Sequence, residues 1–580
     1  MDTLLSIIQG RCQAAIQKVF SDIDPQWQIA EVTPCMEETL GQYQCNNALK
    51  LGKLLHKNPK EIADSIRLVL SSDPIFSSVT VAGPGFINIT LTPAFLSQEL
   101  NQALHDPHLG AKIAKTPSRI IIDFSSPNIA KELHVGHLRS TIIGDCLARL
   151  FEFLGHDVLR LNHVGDWGSQ FGMLITYLKK EHPDILQGTT IATLPDLTIW
   201  YKESKKRFDE DPIFKKESQN EVVSLQSGEK EALFSWKVIC DISRKAFQEI
   251  YDILDVKILE RGESFYNPFL PGIILDLEKK GIIQISDGAK CIFLTGFTNR
   301  EGNPLPIMIQ KSDGAFNYDT TDLAGFRHRV EVEKADRIII VTDAGQSLHF
   351  KMIHEAAVLA GYIDPKKTSF DHVPFGLVLG SDGKKFRTRS GKTEKLIDLL
   401  TEAMEHASKI LQERIPDLEE KEAHNLGQIL GIDAIKYADL SCHRVKDYLF
   451  SYERMLKFEG NTAPFLLYAY VRIMGIKRKT QAKTEEILQS SISLKHPSEI
   501  ALGLHLRKFG ENLDMLTTDL LPNRLCDYLY ELAEKFHAFF RDCRVEGSEE
   551  EKERLALCEL TARILEKGLW ILGLKTLYRM

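Results

Sequence analysis

Residues 125–145, SSPNIAKELHVGHLRSTIIGD, decide the fold because they join the apolar run RIIIDF (residues 119–124) to a helical pattern. After the join, apolar side chains recur at helical spacing from Leu138 to Leu154. A buried strand that turns into a helix presents unpaired backbone N–H groups and the positive end of the helix dipole. The sequence therefore predicts a phosphate-binding junction between a strand and a helix.

The motif HVGH within this junction carries two histidines, His134 and His137. Gly136 between them has no side chain to block a ligand, and both imidazoles can donate hydrogen bonds to phosphate oxygens. Helix capping or metal binding is the alternative for such a pair, but no third metal ligand lies nearby in the sequence. The motif favours a bound nucleotide, and we predict no metal site built from protein side chains.

The alternation of strand and helix continues along the chain. HDVLRLN, DRIIIVTD and HVPFGLVLG follow as strands, with the helical pattern HFKMIHEAAVLAGY between the last two. Strands separated by crossover helices form parallel sheets. We predict an α/β fold with a Rossmann-like parallel-sheet core over residues 118–400, interrupted by an insertion at about 185–310 that is charged and largely helical in its first part.

Other domains are expected on both sides of this core, because 580 residues are too many for one ordinary domain. Residues 1–108 mix helical patterns with two strand-like runs around Gly83 and predict an appended α+β domain. Beyond Gly391 the strand patterns stop. We predict a helical connector at 401–460 and a separate α-helical domain at 461–580.

Composition excludes several classes of protein. A formal net charge of -8 argues against a protein that coats nucleic acid indiscriminately. The ten cysteines include no CxxC pair and no spacing typical of zinc, so they read as reduced thiols. The start of the chain lacks a basic leader and an apolar signal region, and no stretch is apolar enough for a membrane span. We expect a cytoplasmic protein without membrane contact.

A second basic motif, LGSDGKKFRTRSGKTEKL, lies between the last predicted strand and a helix, at residues 379–396. A glycine-rich loop with this many cations can close over a triphosphate and offset charge that develops on it. A merely soluble basic loop is the alternative. Its position at the same edge of the sheet as HVGH favours the first interpretation.

HVGH followed by a late lysine-rich loop resembles the two signatures of class I aminoacyl-tRNA synthetases. Seven strings in order, over essentially the full chain, resemble the arginyl-tRNA synthetases in particular. They are SSPNIAKELHVGHLRSTIIGD, NHVGDWGSQFG, YDTTDLAG, TDAGQSLHF, KKFRTRSG, FEGNTAPFLLYAYVRI and the terminal LYRM.

The resemblance implies an arginine–tRNA ligase that uses ATP with Mg²⁺ to form arginyl-adenylate and then charges tRNA(Arg). It also implies a monomer, an anticodon-binding role for the helical domain, and activation that waits for bound tRNA. The residues implied to contact ATP are Ser125, Lys131, His134, Gly136, His137, Lys384, Lys385 and Thr388. Among the cations and histidines, the resemblance makes catalytic His134, His137, Lys131, Lys385 and Arg387.

One position departs from the class pattern. Aligning KFRTRS on the signature K-M-S-K-S places Thr388 where the second lysine usually lies. Lys131 is the expected substitute, because one cation that reaches the same phosphates from the other side can stabilise the same charge. A surface lysine is the alternative for Lys131.

The substrate itself can be argued from chemistry. A guanidinium is a planar, permanently charged fork that a carboxylate holds best. Tyr318 and Asp322 are four residues apart at the start of a helical pattern and should share a face, although Asp322 could instead cap the helix. The residues that the resemblance assigns to arginine are Asn128, Glu263, Tyr318, Asp322 and Gln346. Such a pocket leaves acceptors unpaired with lysine, so no editing domain is required.

The implied tRNA contacts are Tyr468, Arg472, Lys477 and Arg478. They combine an aromatic platform with cations that reach phosphate, although core aromatics beside a solvated charged face are the simpler interpretation of the composition. Two alternative functions stay open. Another class I ligase such as the cysteine enzyme predicts a zinc site, and a non-catalytic tRNA-binding protein predicts damage to the signatures or to the arginine pocket.

Overall fold

The computed structural model describes residues 1–35, 37, 39–299, 301–380, 382–384, 386 and 395–580. Its N-terminal part contains a four-stranded antiparallel sheet with helices packed against it. The strands are β1 (Val32–Pro34), β2 (Tyr43–Cys45), β3 (Phe76–Ala82) and β4 (Phe86–Leu91). The helices are α1 (Leu4–Val19), α2 (Asn47–Leu55), α3 (Pro59–Leu70) and α4 (Pro93–His105).

The central part alternates strands and helices. Its strands are β5 (Arg119–Asp123), β6 (Asp157–Asn162), β7 (Leu259–Glu260), β8 (Gln284–Ser286), β9 (Ala289–Thr298), β10 (Pro304–Gln310), β11 (Arg337–Asp343), β12 (Ser369–Phe375) and β13 (Val378–Leu379). Its helices are α5 (Val135–Phe153), α6 (Ser169–Glu181), α7 (Pro183–Leu186), α8 (Leu194–Glu210), α9 (Pro212–Gln226), α10 (Lys230–Ile253), α11 (Glu263–Tyr266), α12 (Leu270–Lys279), α13 (Tyr318–Glu331) and α14 (Ser347–Leu359). Short 3-10 turns lie at Pro25–Trp27, Asn267–Phe269 and Ala344–Gln346.

Five of these strands form the parallel sheet, in the order β12-β11-β5-β6-β7. Successive side chains of a strand point to opposite faces, so Ile120 and Ile122 of β5 belong to one buried core and Ile121 to another. Helices therefore cover both faces, which is why the strands read as continuous apolar runs. The structure confirms the predicted Rossmann-like α/β class.

The insertion differs from its prediction at about 185–310, because it is not continuous. Helices α7 to α10 form a first excursion, and the chain then returns to the sheet, where β7 pairs with β6. A second excursion, β8 to β10, forms a separate antiparallel sheet. The sequence does not predict that the chain returns to the parallel sheet at β7, because β7 has only two residues and no pattern can be recognised in so short a strand.

The C-terminal part is helical, with α15 (Leu396–Arg414), α16 (Glu420–Leu440), α17 (Tyr452–Met455), α18 (Ala463–Thr480), α19 (Thr484–Leu488), α20 (Pro497–Arg507), α21 (Phe509–Asp519), α22 (Asn523–Asp542) and α23 (Glu551–Ile571). One short strand, β14 (Tyr448–Leu449), pairs in parallel with β13, so strands do not stop at Gly391 as expected. Within the described ranges, no helix is long and apolar enough to cross a membrane.

Helix α5 is buried on nearly all sides, not only along the predicted apolar stripe. Its Arg139 is fully buried and forms an ion pair with Asp439 of α16, with Nε and Oδ2 3.0 Å apart. The same guanidinium donates to the carbonyl oxygens of Gly376, Arg444 and Lys446. These contacts tie the helix that follows β5 to the helical part of the chain.

The packing of α5 against β5 leads to a prediction about Gly144. A Cβ at this position would lie 2.2 Å from the ring of the buried Phe124. We expect Gly144→Ala to lower stability by about 1–3 kcal/mol through overpacking, seen as a lower midpoint of urea unfolding.

The matched control is Gly475→Ala in α18, where the nearest atom to an added Cβ is 3.8 Å away, at the end of Arg478. Alanine favours a helix interior over glycine, so this variant should unfold at the same or a higher urea concentration. Equal midpoints for the two variants would contradict the close packing of α5.

Candidate active site

A cavity of about 730 Å³ opens at the carboxyl ends of the parallel strands, the usual ligand site of such sheets. Asp123, Asp343 and Phe375, the last residues of three strands, lie in its wall. The structure brings nine of the predicted site residues together here, namely Ser125, Asn128, His134, Gly136, His137, Glu263, Tyr318, Asp322 and Gln346.

The turn from β5 to α5 has a strained backbone. Ser125 and Ser126 have φ values of 71° and 49°, the left-handed region that costs non-glycine residues roughly 1–2 kcal/mol each. Side chains from other elements hold the turn, because the N–H of Ser125 donates to Ser140 Oγ and the N–H of Ser126 to Asn162 Oδ1, each at 2.9 Å. Strain that the surroundings enforce in this way is typical of a ligand-binding turn.

The two histidines cap the first turn of α5. Nδ1 of His134 accepts the N–H of Gly136 at 3.0 Å, and Nδ1 of His137 accepts the N–H of His134 at 3.1 Å. A neutral imidazole that accepts at Nδ1 carries its proton on Nε2. The capping bonds therefore select the tautomer in which each Nε2–H is a donor.

His137 is held in its neutral form, as an acceptor at Nδ1 must be. Burial, together with the neighbouring His134 and Lys131, lowers the pKa of His137 to about 3. The two rings are tilted against each other with centroids 4.1 Å apart. His137 is therefore a neutral hydrogen-bond donor at any physiological pH and not a cation or a general acid that titrates near 7.

The second half of the cavity is acidic. Tyr318 and Asp322 share one face of α13 as predicted from their spacing, and both line the cavity. Gln346 lies opposite them in the short turn that precedes α14. Asp322 caps no helix, because it lies inside α13 and its Oδ2 pairs with His349 at 2.7 Å.

Sequence reasoning missed His349. His349 lies in the quoted string TDAGQSLHF, three residues after Gln346, and its side chain lines the cavity. Burial opposes its charged form, but hydrogen bonds to Asp319 and Asp322 outweigh burial and raise the pKa of His349 to about 9. The helical spacing from Gln346 was the one signal that could have pointed to it.

Glu263 lies in the same cavity at the start of α11. Burial, with the charges of Asp322 and Asp166 nearby, raises its pKa to about 8. Asp166 itself accepts hydrogen bonds from Ser264 N–H at 2.8 Å and from Ser264 Oγ at 2.6 Å. Asp166 thus holds the turn before α11, and Glu263 is the carboxyl that reaches the cavity.

The predicted phosphate cations lie elsewhere or outside the described residues. Lys131 is exposed and its ammonium lies 5.6 Å from the centre of the Tyr201 ring of α8, away from the cavity wall. Lys384 is exposed in the loop after β13. Lys385, Arg387 and Thr388 fall outside the residues that the structure describes.

The predicted tRNA contacts lie on α18. Tyr468 Oη accepts from Arg472 Nη2 at 2.7 Å, and the guanidinium of Arg472 lies over the Tyr468 ring. Lys477 forms an ion pair with Glu559 at 2.6 Å, and Arg478 donates to the carbonyl oxygen of Tyr578. Tyr468 and Arg472 thus form a preorganised pair, whereas Lys477 already has a protein partner.

In the described part of the chain, no group of three or more His, Cys, Asp or Glu side chains could hold a metal ion. The carboxylate of Asp123, which borders the cavity, is paired with Arg329 and accepts from Ser126 Oγ at 3.2 Å.

Family models match three parts of the chain. They are described as tRNA synthetases class I (R), catalytic domain, at residues 99–452, as DALR anticodon binding domain at residues 466–580, and as arginyl tRNA synthetase N terminal domain at residues 6–91. Relatives match over the whole of both chains. The arginine–tRNA ligases of Protochlamydia amoebophila and Chlamydia abortus are 60% and 53% identical to this chain.

The arginyl-tRNA synthetase of Plasmodium falciparum has a similar solved structure, with a TM-score of 0.86 and 35% identity over all of both chains. The fold is thus that of a class I aminoacyl-tRNA synthetase. Within that class, the chain belongs to the arginyl-tRNA synthetase family, the arginine–tRNA ligases. The predicted resemblance is confirmed, and the cysteine-enzyme alternative is set aside.

The raised pKa of Glu263 predicts how stability depends on pH. Between the ordinary pKa of 4.5 and the folded pKa of about 8, the folded chain holds a proton that the unfolded chain has lost. Stability from this group therefore falls as pH rises through that window. We expect Glu263→Gln to melt like the parent near pH 5 and at a higher temperature near pH 8.5, by calorimetry without ligands.

The control is Glu413→Gln on the exposed side of α15, which should leave the melting temperature unchanged at both pH values. If Glu263→Gln failed to gain stability at the higher pH, the folded protein would not raise the pKa of this carboxyl.

Proposed function

We propose that this chain joins L-arginine to ATP at the described cavity, forms arginyl-adenylate, and transfers the arginyl group to the terminal ribose of tRNA(Arg). The family supports the overall reaction. The observation that supports this site is that the capped first turn of α5 and the acidic pocket of α13 face one cavity at one edge of the sheet.

ATP is the proposed ligand of the α5 side. The Nε2–H groups of His134 and His137 can donate to phosphate oxygens, and the positive end of the α5 helix dipole adds a favourable potential. Ser125 and Gly136 also line this side. Mg²⁺ enters in this proposal as part of the MgATP substrate, because phosphate oxygens supply the ligands that it prefers.

Arginine is the proposed ligand of the α13 side. The carboxylate of Asp322 is placed to hold the guanidinium, with the Tyr318 ring as a wall. Asn128, Glu263 and Gln346 supply polar groups for the amino and carboxyl ends of the amino acid. A cation next to Glu263 would favour its ionised form, so arginine binding should release a proton from this carboxyl.

The proposed chemistry requires no protein nucleophile. The arginine carboxylate attacks the α-phosphorus of ATP in line with the departing pyrophosphate, and a ribose hydroxyl of tRNA then attacks the adenylate. The two steps depend on positioning and on stabilising charge on the phosphates. His137 serves as a fixed hydrogen-bond donor and not as a general acid, because burial keeps its imidazole neutral. His134 has the same donor role in this proposal, because its Nδ1 accepts the N–H of Gly136.

The remaining assignments are proposals that the resemblance supports. Lys131 would have to turn from the Tyr201 ring to reach the phosphates, and the loop of Lys384, Lys385, Arg387 and Thr388 would supply charge from the other side. Tyr468, Arg472, Lys477 and Arg478 would contact tRNA, and we propose that bound tRNA is required before arginine is activated. We also propose a monomer, and a cytoplasmic location that agrees with ten free cysteines.

Pyrophosphate exchange into ATP with each amino acid, with and without unfractionated tRNA, tests this function. We expect exchange with arginine alone and only when tRNA is present. Exchange with arginine in the absence of tRNA would remove the coupling but keep the ligase. Exchange with a different amino acid, or none with folded protein, would contradict the function, and the latter would favour a non-catalytic tRNA-binding protein.

Each of the two histidines accepts a capping hydrogen bond at Nδ1 and is proposed to donate to ATP at Nε2. Substitutions that remove only the donor should therefore lower activity without lowering stability. In His134→Asn, Oδ1 can still accept the N–H of Gly136, so the helix cap remains while the Nε2 donor is lost. We expect arginine-dependent exchange to fall about 10²- to 10³-fold with little change in melting temperature.

In His134→Ala both the cap and the donor are lost, so the same fall in activity should come with about 0.5–2 kcal/mol of lost stability. His137→Asn should behave like His134→Asn, since its Oδ1 can accept the N–H of His134. Full activity in either asparagine variant would mean that the Nε2 donors do not contact ATP.

A further inference from the structure

The wall of the arginine side contains a chain of charged contacts that the proposed function does not yet use. His349 on α14 lies between two carboxylates of α13, with Nε2 2.7 Å from Asp322 Oδ2 and Nδ1 3.3 Å from Asp319 Oδ1. Its side chain is 23% exposed. A neutral ring would turn a lone pair toward one of these carboxylates, so the geometry requires both nitrogens to donate.

The far end of the chain is anchored in the backbone. Asp319 is buried, and its Oδ2 accepts the N–H of Met308 on β10 at 3.2 Å. Asn317 donates to the same oxygen at 3.4 Å. Asp319 therefore cannot turn freely, and it fixes the ring of His349, which in turn holds one oxygen of Asp322.

The near end of the chain faces the ligand. With Oδ2 held by His349, Asp322 can turn only Oδ1 toward the open part of the cavity. His163 lies on the other side, and its Nε2 is 3.9 Å from Asp322 Oδ1, too far for a hydrogen bond. His372 packs against Phe350, and its Nε2 bonds to Thr342 Oγ1, not to Asp322.

We propose that His349 is a positioning residue for arginine: its doubly hydrogen-bonded ring links Asp322 to Asp319 and orients the free oxygen of Asp322 toward the guanidinium. The inference rests on the proposed contact between Asp322 and the guanidinium. His349 itself does not contact the guanidinium in this proposal and acts through Asp322. The positive charge of the doubly hydrogen-bonded ring also offsets the repulsion between the carboxylates of Asp319 and Asp322.

Two amide variants separate this role from simple packing. In His349→Gln the side-chain amide nitrogen replaces Nε2 and can still donate to Asp322, whereas in His349→Asn the shorter amide replaces Nδ1 and reaches only toward Asp319. We expect the asparagine variant to raise the KM for arginine about tenfold to a hundredfold in tRNA-dependent exchange. The glutamine variant should recover most of that loss, with the KM for ATP unchanged in both.

The control for a histidine change on the same helix is His354→Gln. His354 stacks on Phe370 away from the cavity, so this variant should keep the parent KM for arginine. Melting temperatures of all variants establish that they are folded. Asparagine and glutamine variants with equal KM values for arginine, whether both normal or both raised together with the KM for ATP, would overturn the positioning role.

Asp322→Asn tells a failure of this inference from a failure of the contact on which it rests. If Asp322→Asn raises the KM for arginine and His349→Asn does not, Asp322 binds arginine without help from His349. If Asp322→Asn also leaves that KM unchanged, the guanidinium binds elsewhere and both proposals are wrong.

Discussion

Two imidazole rings accept hydrogen bonds from backbone N–H groups at the start of α5, and the rest of the site depends on these hydrogen bonds. Serine, threonine, asparagine and aspartate are the usual caps, and they would satisfy the same N–H groups. Histidine adds a second nitrogen on the far side of the ring, and the capping bond determines that this nitrogen carries the proton. The same hydrogen bonds thus stabilise the start of the helix and direct the ring donors toward a ligand.

Helix α5 also connects this capped turn to the helical part of the chain. Farther along it, Asp145 accepts hydrogen bonds from Arg149 at 2.7 Å and from Arg160 at 2.5 Å. The fully buried Lys436 of α16 lies next to this group and donates to the carbonyl oxygen of Gly573 at 2.7 Å. Removing one member of such a buried group typically costs 3–5 kcal/mol, so the cavity, α16 and the C-terminal residues are held in one relation.

Much of the fold and of the candidate site could be predicted from the sequence. The strand-to-helix junction, the parallel sheet and the pairing of Tyr318 with Asp322 follow from periodicity and spacing, and the structure places nine predicted residues around one cavity. The return of β7 to the sheet and the pairing of β14 could not be predicted, because each strand has two residues. His349 was missed because its partners are 27 and 30 positions away in the sequence, and only folding reveals that contact.

In the proposed function, one edge of the parallel sheet binds phosphate and guanidinium, ligands of opposite charge, side by side. The most direct measurement is a crystal structure of the protein with L-arginine bound. It should place the guanidinium within about 3.2 Å of Asp322 Oδ1, with the bond from His349 to Oδ2 kept and the arginine carboxylate directed toward the start of α5. A guanidinium bound away from α13, or a carboxylate turned away from α5, would contradict the account.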